Sequence, residues 1–158
     1  MPNQTLANIL LIGAIIAHFI LVGADAFAQA AITPVALSAP PASLAMFQGD
    51  YVYNSAPFWQ ITNTIALALL IAALLVNWRT PRRNLLLLTL VGSIMISIVS
   101  LGYIFPEFTE IVSSAYSDTV DPALIERGST WRMIAFSRLL VFGCLGILPL
   151  WALAKPVP

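Results

Sequence analysis

Charge is scarce in this chain. Only 9 % of its 158 residues are Asp, Glu, Lys or Arg, where a soluble domain carries roughly 25 %. Apolar residues make up 59 %, and the mean hydropathy is +0.91. A chain this short cannot hide that much apolar surface in one core of its own, so it reads as an integral membrane protein. Basic excess is missing too. Seven Lys and Arg face seven Asp and Glu, which argues against a nucleic-acid partner. Cysteine occurs once, at Cys144, excluding an internal disulfide, a CxxC redox pair and a multi-thiolate zinc site. The sequence contains no Gly-rich phosphate loop, no HExxH, no GxSxG and no internal repeat.

What it does contain is long hydrophobic runs. A hydrocarbon core about 30 Å thick takes about 20 apolar residues as helix. Four stretches reach that length: about Leu6 to Ala31, Phe58 to Trp78, Leu85 to Phe105 and Trp131 to Ala154. Lipid leaves no other way to satisfy the backbone of such segments. The expected fold is therefore all-α, a single transmembrane domain over 1–158 built as a four-helix bundle with two longer outer connections. Pro149 is expected to kink the fourth span.

The charges orient the bundle. Arg79, Arg82 and Arg83 crowd the short connection between spans two and three, and Lys155 follows span four. Asp50, Glu107, Glu110, Asp118, Asp121 and Glu126 lie in the other two connections. The positive-inside rule places the basic connection and both termini in the cytoplasm, against the vote of Arg127 and Arg132. A bacterial inner membrane is the expected location. A competing reading takes Leu10 to Val22, followed by Ala24-Asp25-Ala26-Phe27-Ala28, as a signal-peptide core with an A-x-A site. The lack of a basic residue before it and the presence of His18 and Asp25 oppose that.

The outer connections carry their own pattern. Residues 33–57 hold four prolines and a glycine among Met46, Phe47, Tyr51 and Tyr53, with one or two helical turns expected over Ala42–Phe47. In the other connection, Asp121-Pro122 is an N-cap and first-turn pair. A short helix from Pro122 to Arg127 ending at Gly128 is expected, with Ser129 or Thr130 capping the fourth span.

Ionisable groups inside a span are costly and mark candidate sites. His18, Asp25 and Gln29 follow one another at seven and four residues, so they share a helix face. Arg127, Trp131, Ile134 and Arg138 share a face of span four, with Arg138 about 10 Å inward of Trp131. Arg138 either pairs structurally with Asp25 or binds an anion or carbonyl oxygen. Span two adds Gln60 and Asn63, and span three adds Ser93, Ser97, Ser100, Tyr103 and Glu107. Such residues equally serve as packing glue or meet headgroups. By depth, however, Asp25, Gln29, Gln60, Asn63, Ser100, Tyr103, Glu107, Arg132 and Arg138 converge on the outer half, with His18 at its floor. A polar pocket opening outward is expected there, roofed by the aromatic 33–57 connection. A channel would need polar lining along its whole length.

Several of these features recur together in a known family. They are Thr33-Pro34 after the first span, Phe58-Trp59 opening the second, the basic turn after Asn77-Trp78-Arg79, Pro106-Glu107 after the third, and Arg127-x-x-x-Trp131 leading to Arg138. Over nearly the whole chain, this pattern resembles small four-span membrane proteins of the anthrone-oxygenase-like family. The resemblance implies oxygen insertion into polycyclic phenolic anthrones without a metal or organic cofactor.

Two functions are open at this level. In one, a membrane-embedded enzyme acts on a lipophilic phenol or quinone. His18 or Asp25 would be the general base, and Arg138 would stabilise an enolate or phenolate. Gln29, Gln60, Asn63, Ser100, Tyr103, Glu107, Trp131 and Arg132 would line the site. In the other, the same pocket serves a non-catalytic binding, transport or helper subunit. Haem is disfavoured, since His18 is the only histidine and no second axial ligand is evident. No cofactor and no metal are expected. The expected partners are the lipid bilayer, a lipophilic small molecule and a second copy in a homodimer.

Overall fold

A computed structural model describes residues 4–156. Among them all regular structure is helical. Four segments are long and apolar enough to cross a membrane: Gln4–Ala36, Ala56–Val76, Arg83–Val112 and Pro122–Ala154. The protein is an all-α integral membrane four-helix bundle.

The first and third spans are longer than the hydrophobic runs suggested, because each continues through a proline. The first is α1 (Gln4–Phe27), a π-helical turn at Ala28–Ile32 and α2 (Thr33–Ala36). The second is α3 (Ala56–Val76). The third is α4 (Arg83–Val99), a π-helical turn at Ser100–Ile104 and α5 (Phe105–Val112). A helical proline donates no hydrogen bond and presses its ring on the carbonyl four residues back. For Pro34 and Pro106 those carbonyls belong to Ala30 and Gly102, both inside the wide turns. Widening the helix there lets it continue rather than end.

The fourth span is α6 (Pro122–Leu145) followed by α7 (Ile147–Ala154). Asp121, expected to cap only a short preceding helix, caps the whole span, accepting from the Ala123 N–H at 2.8 Å. The expected stop at Gly128, with a new cap at Ser129 or Thr130, is not there: α6 runs straight through. Gly128 is buried instead, under Leu37, whose Cδ2 would lie 2.9 Å from an added Cβ. The break comes at Gly146. Pro149 explains its place, since it cannot bond the Leu145 carbonyl.

The spans form a ring. α1 packs on α3 and on the α6–α7 span, and α4 packs on α3 and on the same fourth span. In the half that carries the termini, Leu11, Ile15, Leu70, Leu74 and Leu86 close the core. Each such side chain contributes roughly 1.5–3 kcal/mol by burial. Arg82 seals this end. Its Nη1 donates to Asn8 Oδ1 at 2.7 Å, and its Nε and Nη2 donate to the carbonyls of Lys155 and Leu153 at 3.0–3.2 Å. One guanidinium thus joins the first helix, the basic connection and the last carbonyls of the fourth span. Burial pulls the Arg82 guanidinium below its ordinary range.

At the distal end three spans run on past the start of α3. A 33-residue helix is about 50 Å long, a 21-residue one only about 31 Å. The protruding ends share a second core of Ala36, Leu44, Ile104, Ile111, Trp131 and Ala135. The 33–57 connection folds over it through a 3-10 helix at Ala42–Phe47. Phe47 meets Phe108 edge-on, and Phe108 stacks on Trp131. Gln48 Nε2 fastens the connection by donating to the Val112 and Ser114 carbonyls at 3.1 and 2.8 Å. The connection is thus an aromatic cover over an apolar core rather than over a polar pocket, carried by Phe47, while Tyr51 and Tyr53 are exposed.

Candidate functional site

The site begins with what α3 leaves uncovered. Its residues Thr62, Ala66, Leu69, Ala73 and Val76 stay at least partly covered along the whole helix. They face α1, where Leu69 lies against Gly13. Gln60, Asn63, Leu67, Leu70 and Leu74 recur at three and four residues, so they form a second face. That face is buried only in its proximal part. Leu74 and Leu70 are 4 % and 6 % exposed, yet Leu67 is 40 % exposed, and Asn63 and Gln60 are open as well.

α4 behaves in the same way. Leu86 and Thr89 are buried, but between Val91 and Val99 only Gly92, Ser93 and Ile96 are partly covered. These lie on one stripe, toward the fourth span, where Leu145 occupies the space beside Gly92. In the distal half, then, each of the two helices is held on one side only. Beyond Leu70 and Thr89 this face of α3 and most of α4 are exposed.

In the distal half three spans bring polar and charged side chains together. Arg138 Nη2 donates to Asp25 Oδ2, and Nη1 donates to Ser100 Oγ at 2.9 Å. Ser100 passes its own proton to the Ile96 carbonyl at 2.8 Å. The Asp25 and Arg138 side chains are 7 % and 16 % exposed. Arg138 lies about 10 Å inward of Trp131 along α6, beyond the interface and inside the hydrocarbon. A charge there requires a partner, and the pair makes the cluster neutral. Two polar atoms beside it are buried with no hydrogen-bond partner: Arg138 Nε and Gln29 Oε1. Gln29 sits one turn distal of Asp25 and is itself buried.

The other sequence candidates fall elsewhere. His18 is two turns proximal of Asp25 and donates from Nε2 to the Phe142 carbonyl at 2.9 Å. Its ring lies on Gly146, where an added Cβ would be 2.8 Å from Cδ2. Trp131 is buried and donates from Nε1 to the Ile104 carbonyl at 2.8 Å, bracing the wide turn that carries Ser100. Glu107 and Glu110 hold Arg127 at 2.8 and 2.9 Å on the distal surface. Tyr103 and Glu107 line a separate hollow of about 340 Å³ with Glu126, Arg127 and Thr130. Arg132 is exposed on α6. The single outward pocket expected from depth is thus divided. Asp25, Ser100 and Arg138 meet, Gln29 is buried one turn distal of Asp25, and Gln60 and Asn63 are exposed on α3. Tyr103, Glu107 and Arg132 belong to the distal surface.

Arg82 and the wide turns were not singled out from the sequence. Arg82 was legible only as one of three basic residues, though a lone Asn8 early in the first span was a hint of a polar partner. Among the described residues no group of three or more His, Cys, Asp or Glu is placed to hold a metal ion. No protein-family model, no curated protein and no solved structure matches this chain.

Proposed function

We propose that the protein binds a neutral lipophilic molecule with an oxygen-bearing head, phenol- or quinone-like, in the distal half of the bundle. The observation that carries this is the neutral Arg138–Asp25–Ser100 cluster in the same half of the bundle where α3 and α4 leave Leu67, Asn63, Gln60 and most of 91–99 exposed. A flat apolar body would lie against Leu67 of α3 and the uncovered flank of α4, with Gln60 and Asn63 offering polar contacts. The head is neutral because Asp25 already balances Arg138; an anion would leave one charge too many in hydrocarbon. We place the termini and the basic connection in the cytoplasm of a bacterial inner membrane, so the distal half lies toward the outer leaflet.

Binding is favoured over turnover by the engagement of both candidate bases. Asp25 is spent on Arg138, and His18 directs its Nε2 proton to Phe142, two turns away. The second reading is the cofactor-free oxygen insertion implied by resemblance to the anthrone-oxygenase-like family. The free Arg138 Nε–H favours it, as a donor able to steady a phenolate oxygen. Native mass spectrometry from a mild detergent, with an oxygen electrode and an added anthrone, tests both. Under the binding reading a discrete small-molecule adduct appears and oxygen uptake does not. Steady uptake with an oxygenated product would establish the second reading. A chain carrying only phospholipid, with no uptake, would sink both.

A further inference from the structure

We infer that the basic connection at the proximal end binds the headgroup phosphate of an anionic phospholipid of the phosphatidylglycerol kind. The inference rests on the membrane fold and is independent of the distal cluster. Charge is divided unevenly between the two ends. Arg79, Arg82, Arg83 and Lys155 are proximal, whereas every Asp and Glu lies in the distal half or its connections. Among the described residues no proximal cation is in an ion pair. The fold gathers these cations. α4 packs on α7, so Arg83, which opens α4, and Lys155, which follows α7, come to the same end. Lys155 Nζ lies 3.4 Å from the Pro81 carbonyl oxygen. The buried Arg82 ties the connection to the Leu153 and Lys155 carbonyls. Arg79, Arg83 and Lys155 remain exposed.

The depth is that of the headgroups. α3 has 21 residues and is about 31 Å long, which matches a hydrocarbon core of about 30 Å. Trp78, half-exposed just past its end, stands where interfacial tryptophans stand. Arg83 lies over that ring, 5.7 Å from its centre, and gives its Nε proton to Asn84 Oδ1 at 3.2 Å. The Arg83 Nη atoms and the Arg79 guanidinium have no hydrogen-bond partner among the described residues. Arginine donors suit phosphate oxygens. A choline or ethanolamine headgroup brings a cation of its own, which three unneutralised cations repel, and a glycerol headgroup brings none. Each basic residue beside an anionic surface is worth about fivefold in affinity.

The test is native mass spectrometry of the full-length protein in a mild detergent, given equal amounts of dioleoyl phosphatidylglycerol and dioleoyl phosphatidylcholine. The wild type is expected to hold the anionic lipid with a preference of at least about tenfold. The combined variant Arg79→Gln, Arg83→Gln, Lys155→Gln should bring that preference below about threefold. Arg79→Gln alone, whose side chain gives up no bond within the chain, should lower it about two- to fivefold without moving the thermal midpoint. Arg132→Gln, an exposed cation of the distal half, should leave it unchanged. Equal retention of the two lipids by the wild type would overturn the inference. So would a preference that survives in the combined variant, or one that Arg132→Gln removes. Release of the phosphatidylglycerol by glycerol phosphate, the headgroup without its acyl chains, would make this a site for a free anion and overturn the lipid as its occupant.

Discussion

Asp25 and Arg138 occupy different helices 113 positions apart, yet neither residue is stable in hydrocarbon without the other. Removing one partner of a buried pair leaves an uncompensated charge, which costs about 3–5 kcal/mol, whereas replacing both with apolar residues is often neutral. Asp25→Leu and Arg138→Met should each lower the unfolding midpoint in detergent strongly. The double variant should recover most of the loss and still fail to hold the ligand. If the double variant is as damaged as the sum of the singles, the two residues do not act as a pair. Arg82 makes a second residue-scale case. Arg82→Ala strands Asn8 Oδ1 and the carbonyls of Leu153 and Lys155, a loss on the order of 2–3 kcal/mol. Hydrogen exchange should report it as fraying of α7 more than of α6. The pair was legible in the sequence because depth can be counted along a helix. The fate of Glu107 was not, because counting placed it near the site, while the Arg127 fork that holds it depends on how α5 is turned.

Helices α6 and α7 are separated by a glycine that gives its space to His18. Ala at 146 would set a methyl against a ring held by its bond to Phe142, so Gly146→Ala should cost about 1–3 kcal/mol. Gly92→Ala also meets a close neighbour, but that neighbour is the flexible end of Leu145, and the loss should be smaller. Equal losses in thermal unfolding would mean that His18 is no more firmly held than a leucine. The exposure of distal α3 gives another prediction. With Cys144, an exposed thiol, replaced by serine, Asn63→Cys should react with a membrane-permeant maleimide, and Leu70→Cys and Leu74→Cys should not. Similar reactivity along that face would contradict it. The existence of four helices followed from hydrophobic length alone. Their ends did not, because Pro34 and Pro106 read as breakers and only the wide turns at Ala28–Ile32 and Ser100–Ile104 let the backbone pass them. Gly128 misled for a related reason: its lack of a side chain serves Leu37, not a helix end.

Taken whole, the molecule is closely packed in its proximal half and leaves α3 and α4 largely exposed in its distal half. The proximal half is filled by leucine and tied by Arg82, whereas the distal half is held together by its aromatic roof and by the α1–α6 and α4–α6 seams. Composition made the membrane fold plain, and the depth of polar residues made the distal half the place to look. The exposure of distal α3 was beyond reach of the sequence, since Gln60, Asn63 and Leu67 look the same whether a neighbour covers them or not. The most direct measurement is photo-crosslinking of the full-length protein in lipid nanodiscs with a diazirine-bearing lipophilic phenol, read by peptide mass spectrometry. The expected result is labelling concentrated on 60–67 of α3 and 91–100 of α4, suppressed in the Asp25→Leu, Arg138→Met double variant. Label spread evenly over every lipid-facing helix, or confined to the distal connections, would contradict a binding site along α3 and α4.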